Sequence, residues 1–343
     1  MFTRRFWIRR FLPVSLILGT ATAVALAAQV GVRQLTLPRR SPLEPWMSRI
    51  TENPGGMGLR LRPFTVKTAD NCTLQALLVD PTAKAGTTTR GKSIVKALKT
   101  TGLVRPAGAP PRGTLILLHG LNGRKENMLP FAERFAAAGF RCVVYDSRAH
   151  GDSSGVRVTY GAMETDDLQR VLAAAKTAAG PRGLGPVGFL GYSLGGAVCL
   201  QTQPHLPEVR ALCSISAFAE LQPVMTEQAD HLWNGVGTPL LPVVRLETRL
   251  QAGFDPWTIR PVEAASRVTC PVLLVHGSKD DLVPVGQARS LAQALGKNCR
   301  ETVLIPTGTH GSVFTEGGEA LRQRMAVFFA KELTPPPRAI PVD

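Results

Sequence analysis

From Gly113 onward the chain alternates two kinds of stretch. Short apolar runs, "TLILLHG", "RCVVYDS", "VGFLGYS", "ALCSISA", "PVLLVHG" and "TVLIPTG", are separated by longer segments such as "NMLPFAERFAAAG", "METDDLQRVLAAAKTAA" and "GQARSLAQALG". Continuous apolar runs are strands buried on both faces, and the longer segments carry their apolar residues at helical spacing. The order predicts a parallel sheet with helices on both sides. Ahead of it, "FTVKTADNCTLQALLVDP" alternates on either side of Asp70-Asn71 and predicts a hairpin, since Asn tolerates positive φ. Residues 219–262 interrupt the alternation: helical pieces with Trp233 and Trp257, and no strand, predict a cap over the sheet.

The flanking segments differ in texture. Four arginines precede Phe11–Val32, 22 residues without a charge. As a helix that stretch is about 33 Å long, enough for a bilayer core. It predicts a membrane anchor over residues 1–32 with the arginines inside and the folded body outside the cytoplasm. A cleaved secretory signal, with small residues at Ala25 and Ala27, is the alternative and would leave a secreted or periplasmic protein. A chain starting near Leu35 is expected to be soluble and active, since attachment is assigned to residues 1–32. Residues 33–63 ("LPRRSPLEP", "ENPGGMG") read as a linker, 64–334 as the folded domain, and 335–343 as a Pro-rich tail. Residues 82–112 form a basic surface insertion, more solvated than structured, in which "KSIVKALK" is the one stretch with helical character.

Charge adds one exclusion. The net charge is +15, but residues 1–40 and 82–112 each hold seven basic and no acidic residues, and outside them 26 Lys/Arg stand against 25 Asp/Glu. A nucleic-acid enzyme carries its basic face on the folded body, so no nucleic-acid partner is expected. Cys142, Cys199, Cys213 and Cys270 lie in or beside apolar runs and pack as small hydrophobes, while Cys72 and Cys299 are left as a possible pair. No Cys-x-x-Cys or His-x-x-x-His spacing occurs, so neither a metal nor a cofactor is expected.

The chemistry gathers where strands end. In an open parallel sheet, functional groups lie beyond the carboxyl ends of the strands. Those positions here are His119-Gly120-Leu121, Asp146-Ser147-Arg148, Ser193, Asp280 and His310. Ser193 sits in "GYSLGG", between an apolar run and a helix. Gly191 and Gly195 let that helix start close to the strand, and the turn lifts the hydroxyl above the sheet. A serine needs a base within hydrogen-bond reach and an acid to orient the base. His310, in "IPTGTHGSVF", is the candidate base; Asp280, in "HGSKDDLVP", is the candidate acid, with Asp281 as its rival. The backbone N–H groups of Leu121 and Leu194 are placed to form an oxyanion hole. His119, Gly120, Asp146 and Arg148 are expected to support these loops.

Taken in order, "HGLNG", "YDSRAHGDSSG", "GYSLGG", "HGSKDDLVP" and the late "GTH" resemble the motifs of the α/β-hydrolase superfamily, over about residues 55–332. The nearest branch is similar to serine aminopeptidases and dienelactone-hydrolase-like esterases. The resemblance implies an α/β-hydrolase fold: eight strands, mostly parallel, the second antiparallel, helices on both faces and a small helical cap after the sixth strand. It implies Ser193 as nucleophile, Asp280 as acid, His310 as base, and Leu121 with Leu194 as oxyanion donors. It places the 82–112 insertion at the foot of the sheet, away from the site. The expected activity is that of a serine hydrolase working through an acyl-enzyme on a small-molecule ester or amide, with a carboxylic ester favoured and a cell-envelope location. An aminopeptidase-like or thioester hydrolase is the alternative, and a non-catalytic binding protein of the same fold a more distant one.

Overall fold

The computed structural model describes residues 3–232, 235 and 237–334, with the side chains of the first helix from Gly19 on. Trp233 and the tail 335–343 lie outside the described residues. Helix α1 (Thr3–Thr36) and a short helix α2 (Pro45–Glu52) lead into β1 (Leu59–Lys67) and β2 (Thr73–Pro81). These two strands pair antiparallel around Asp70-Asn71, where Asn71 takes φ 63°. Then follow α3 (Thr89–Lys99), β3 (Thr114–Leu118), α4 (Leu129–Ala137), β4 (Arg141–Tyr145), α5 (Glu164–Ala179), β5 (Val187–Tyr192), α6 (Leu194–Thr202) and β6 (Val209–Ile215). Helices α7 (Leu221–Leu232), α8 (Leu241–Ala252) and α9 (Pro261–Ala265) come next. The chain closes with β7 (Val272–Gly277), α10 (Val285–Leu295), β8 (Cys299–Ile305) and α11 (Val313–Glu332).

The eight strands form one sheet in the order β1-β2-β4-β3-β5-β6-β7-β8. Strand β2 is antiparallel to both neighbours, and every other pairing from β4 to β8 is parallel. The strands are buried on both faces, so successive side chains feed two separate cores. In β3, Ile116 joins the core under α5, α6 and α10, while Leu115 and Leu117 join the one under α4 and α11. This is the α/β-hydrolase fold that the resemblance implied, and the apolar runs predicted its parallel, doubly covered strands.

The amino-terminal segment departs from expectation. Among the described residues no helix is long and apolar enough to cross a membrane. The single-pass anchor and the location derived from it are therefore overturned. The physical reason lies in α1 itself. Its carboxyl end is part of the protein core: Ala28 and Val32 are fully buried, α1 packs along α8, and the Gln29 side-chain amide donates to Glu247 at 3.2 Å. Taking Ala28–Val32 out of the uncharged stretch leaves Phe11–Ala27, 17 residues. That is about 25 Å of helix, short of the ~30 Å hydrocarbon core. A membrane partner through residues 1–32 accordingly has no support.

Two further stretches are more ordered than their composition suggested. Within 33–63, α2 buries Met47 and Ile50, and β1 already begins at Leu59. Within 82–112, the Thr88 hydroxyl caps α3 by accepting from the Gly91 N–H at 3.0 Å, and Ile94 and Leu98, four apart on one face, pack into the core beside α4. Cys72 and Cys299 are free, one at the β1–β2 turn and the other at the start of β8 on the opposite edge of the sheet.

Candidate active site

Strand β5 passes into α6 through Ser193, whose φ of 52° and ψ of −117° lie outside the regions an L-residue prefers. The glycines make this turn possible. A Cβ on Gly191 would stand 2.2 Å from the Gly195 carbonyl oxygen, and one on Gly195 would stand 2.6 Å from that of Leu118. The strand, the elbow and the first turn of α6 therefore touch backbone to backbone. The Ser193 N–H is tied to the Ile215 carbonyl at 2.7 Å, which fixes the elbow to the neighbouring strand.

The hydroxyl so raised meets His310. Its Oγ lies 2.9 Å from His310 Nε2, and His310 Nδ1 lies 2.8 Å from Asp280 Oδ2. These contacts suit a ring with its proton on Nδ1, donating to the carboxylate and accepting from the serine. The Asp280 side chain is closed off from solvent. Its other oxygen accepts from the N–H groups of Leu282 (3.1 Å) and Val283 (2.8 Å), so the loop fixes the orientation of the carboxylate. His276 supports the same loop. Burial pushes its pKa down, and the neutral ring donates Nε2–H to the Val283 carbonyl at 2.7 Å. Asp281 is exposed.

Leu121 and Leu194 border the same cavity as Ser193. Leu194 is the first residue of α6, so its N–H has no partner within the helix. No acceptor among the described residues takes the Leu121 N–H. His119 shapes the loop that carries it: Nε2 accepts from the Ser147 N–H at 3.1 Å, which leaves Nδ1–H to donate to the Gly120 carbonyl at 2.8 Å. That arrangement needs a neutral ring, and burial holds the His119 pKa down at about 4.

The support residues knit the strand ends together. Asp146, fully buried, accepts from the Lys125 N–H (2.6 Å), the Lys125 ammonium (2.9 Å) and the Asp152 N–H (2.9 Å). Buried attraction to Asp146 and its neighbours raises the Lys125 pKa against the opposing effect of burial. Arg148 grips Asp167 with two bonds of 2.7 and 2.8 Å and reaches Asp70 of the leading hairpin at 3.0 Å. The Ser153 hydroxyl donates to the Asp146 carbonyl and accepts from the Gln75 N–H. These residues hold loops and do not face the cavity.

Sequence reasoning missed Tyr192. Its hydroxyl donates to the His310 carbonyl at 2.6 Å, its ring lies against the imidazole with centroids 5.4 Å apart, and burial raises its pKa to about 12. The alternation of β5 held the signal. A large aromatic placed one residue before the serine points to the opposite face, towards the loop of β8.

Above Ser193 lies a cavity of about 410 Å³. Its lining is mostly aliphatic, with Leu221, Val224 and Met225 from α7 and Leu241 and Val244 from α8. The segment expected to form a cap thus roofs the site. Gly31, Gln34 and Leu35 of α1 line it too. Arg39 is the one charged residue of the lining among the described residues, which contributes no carboxylate.

Comparison with known proteins bears on the fold and the class of activity. A family described as serine aminopeptidase, S33, matches residues 109–256, and one described as TAP-like protein matches residues 254–339. The chain is a member of the α/β-hydrolase superfamily that resembles serine aminopeptidases and esterases, and it is a hydrolase. It is 27% identical over 232 residues to the uncharacterized protein YqkD of Bacillus subtilis, a match covering 66% of this chain and 73% of that one. It is 28% identical over 247 residues to a monoacylglycerol lipase of Mycolicibacterium smegmatis, covering 62% and 85%. Among solved structures, an esterase of Pyrococcus furiosus superposes with a TM-score of 0.61 at 18% identity, over 87% of this chain and 98% of that one.

Proposed function

We propose that the protein hydrolyses carboxylic esters with an apolar acyl group, through an acyl-enzyme on Ser193. The observation that carries this reading is the unbroken relay from the Ser193 hydroxyl through His310 to the buried carboxylate of Asp280. In the first step His310 Nε2 takes the hydroxyl proton as Ser193 Oγ bonds the acyl carbon. The carbonyl electron pair moves to oxygen, where the Leu121 and Leu194 N–H groups and the amino end of α6 stabilise it. Collapse breaks the ester bond, and the leaving alkoxide takes the Nε2 proton to depart as an alcohol. Water then repeats the sequence: it gives a proton to Nε2, its oxygen bonds the acyl carbon, and Ser193 leaves with that proton as the acid is released. Asp280 keeps the imidazole in the right tautomer and balances the imidazolium formed in each half.

Two observations favour an ester over an aminoacyl amide. A free amino terminus is an ammonium and calls for a carboxylate in the pocket, which the described lining does not contain. Relatives named as monoacylglycerol lipases point the same way. The test is a panel of p-nitrophenyl esters against aminoacyl p-nitroanilides. Ester turnover should exceed anilide turnover by at least a hundredfold, and a preference for aminoacyl anilides would overturn the assignment.

A further inference from the structure

We propose that the carboxyl end of α1 and the strap after it form a fixed wall of the acyl pocket, so that the amino-terminal segment sets the acyl chain length accepted. This deepens the ester-hydrolase reading and rests on it. Gly31, Gln34, Leu35 and Leu37 line the same cavity as Ser193, together with the cap helices α7 and α8. The walls beside the catalytic loops therefore come from two parts of the chain far apart in sequence, the end of α1 and the cap.

The wall is held on every side. Along α1, Ala28 and Val32 are buried in the core and Leu35 packs against it. The Tyr160 hydroxyl donates to the Leu35 carbonyl at 2.9 Å, and the Val158 N–H donates to that of Thr36 at 2.9 Å. The Arg40 guanidinium binds the carbonyls of Gly151 (2.7 Å), Ser153 (2.7 Å) and Gly155 (3.0 Å). Asn122, next to Leu121, is gripped from the strap: its side-chain oxygen accepts from the Arg39 N–H at 2.7 Å, and its carbonyl accepts from the Ser41 hydroxyl. Asn122 has a left-handed φ of 59°, a conformation asparagine tolerates better than most residues, and these two bonds hold it there. The segment is thus tied to the loop bearing Leu121 as firmly as to the cap.

Gly31 is the position that makes the wall adjustable. In a helix interior Gly is about 1 kcal/mol less favourable than Ala. It lines the cavity that holds Ser193. Bulk added at this lining position should shorten the chain the pocket accepts. One methylene of misfit in an apolar pocket changes specificity by roughly tenfold or more.

The test uses the full chain and p-nitrophenyl esters from butanoate to decanoate, in wild type, Gly31→Ala and Gly31→Leu. The quantity read is the ratio of kcat/KM for decanoate to that for butanoate, in which the folded fraction cancels. Both substitutions also raise helix propensity. The ratio should fall stepwise, by about tenfold or more in Gly31→Leu. A ratio unchanged in both variants, with esters still turned over by the wild type, overturns the wall and leaves the ester reading standing. A wild type that cleaves no ester overturns both.

Discussion

The Tyr192 hydroxyl donates to the main-chain carbonyl of His310 at 2.6 Å, so the residue before the candidate nucleophile holds the loop that bears its candidate base. A neutral hydrogen bond of this kind contributes about 1 kcal/mol. Tyr192→Phe should therefore lower kcat about fivefold, with KM little changed, because the bond positions the imidazole and does not touch substrate. Steady-state kinetics on a short-chain ester check this. A rise in KM at constant kcat would contradict the positioning role.

Asp280 and Asp281 are neighbours in sequence and opposites in environment. The first is buried against His310 and the second is exposed. Asp280→Asn should lower kcat by about 10⁴, through the wrong imidazole tautomer. Asp281→Asn should stay within about twofold of wild type. The reverse ranking would reassign the acid.

Burial holds the His119 pKa down at about 4, and burial together with the nearby His119 ring does the same for His150. Between about pH 6.5 and 4 the unfolded chain binds protons that the folded histidines refuse, so their contribution to stability is complete above pH 6.5 and is lost as pH falls. Asp167 acts in the opposite sense, because burial raises its pKa to about 6 despite Arg148. Comparing wild type with His150→Asn cancels Asp167. The stability difference between the two should move by about 3 kcal/mol against the wild type from pH 7 to pH 4. Urea unfolding at both pH values measures it, and a constant difference would show that His150 titrates normally in the fold.

A chain beginning at Leu35 loses Ala28 and Val32 from the core and Gly31 and Gln34 from the pocket. Burial of Val32 and its neighbours contributes about 3 kcal/mol. Thermal unfolding of the shortened chain should therefore come roughly 5 °C or more below that of the full chain. Its hydrolysis of decanoate esters should fall more than that of butanoate esters. Equal Tm values for the two chains would return residues 1–34 to the status of an appendage.

The sheet was legible because strands buried on both faces carry uninterrupted apolar runs, and the elbow because only glycines permit its contacts. The positions just after the strands place Ser193, Asp280 and His310 at one edge of the sheet from the sequence alone. The amino terminus was misread for a physical reason. A helix side chain such as Val32 is equally content in lipid or against α8, and the local sequence does not record which of the two surrounds it. Helix α3 was understated because its apolar stripe is only Ile94 and Leu98 among lysines, which reads as solvated until α4 is seen beside it. The second wall of the pocket was not legible at all, since it joins residues near position 35 to residues near 225.

Reaction with a fluorophosphonate, followed by intact mass and peptide mapping, identifies the nucleophile itself. One equivalent of probe is expected on Ser193, with no labelling of Ser193→Ala and a loss of ester turnover in that variant of about 10⁶. Labelling at another residue, or full ester turnover by Ser193→Ala, would contradict that assignment.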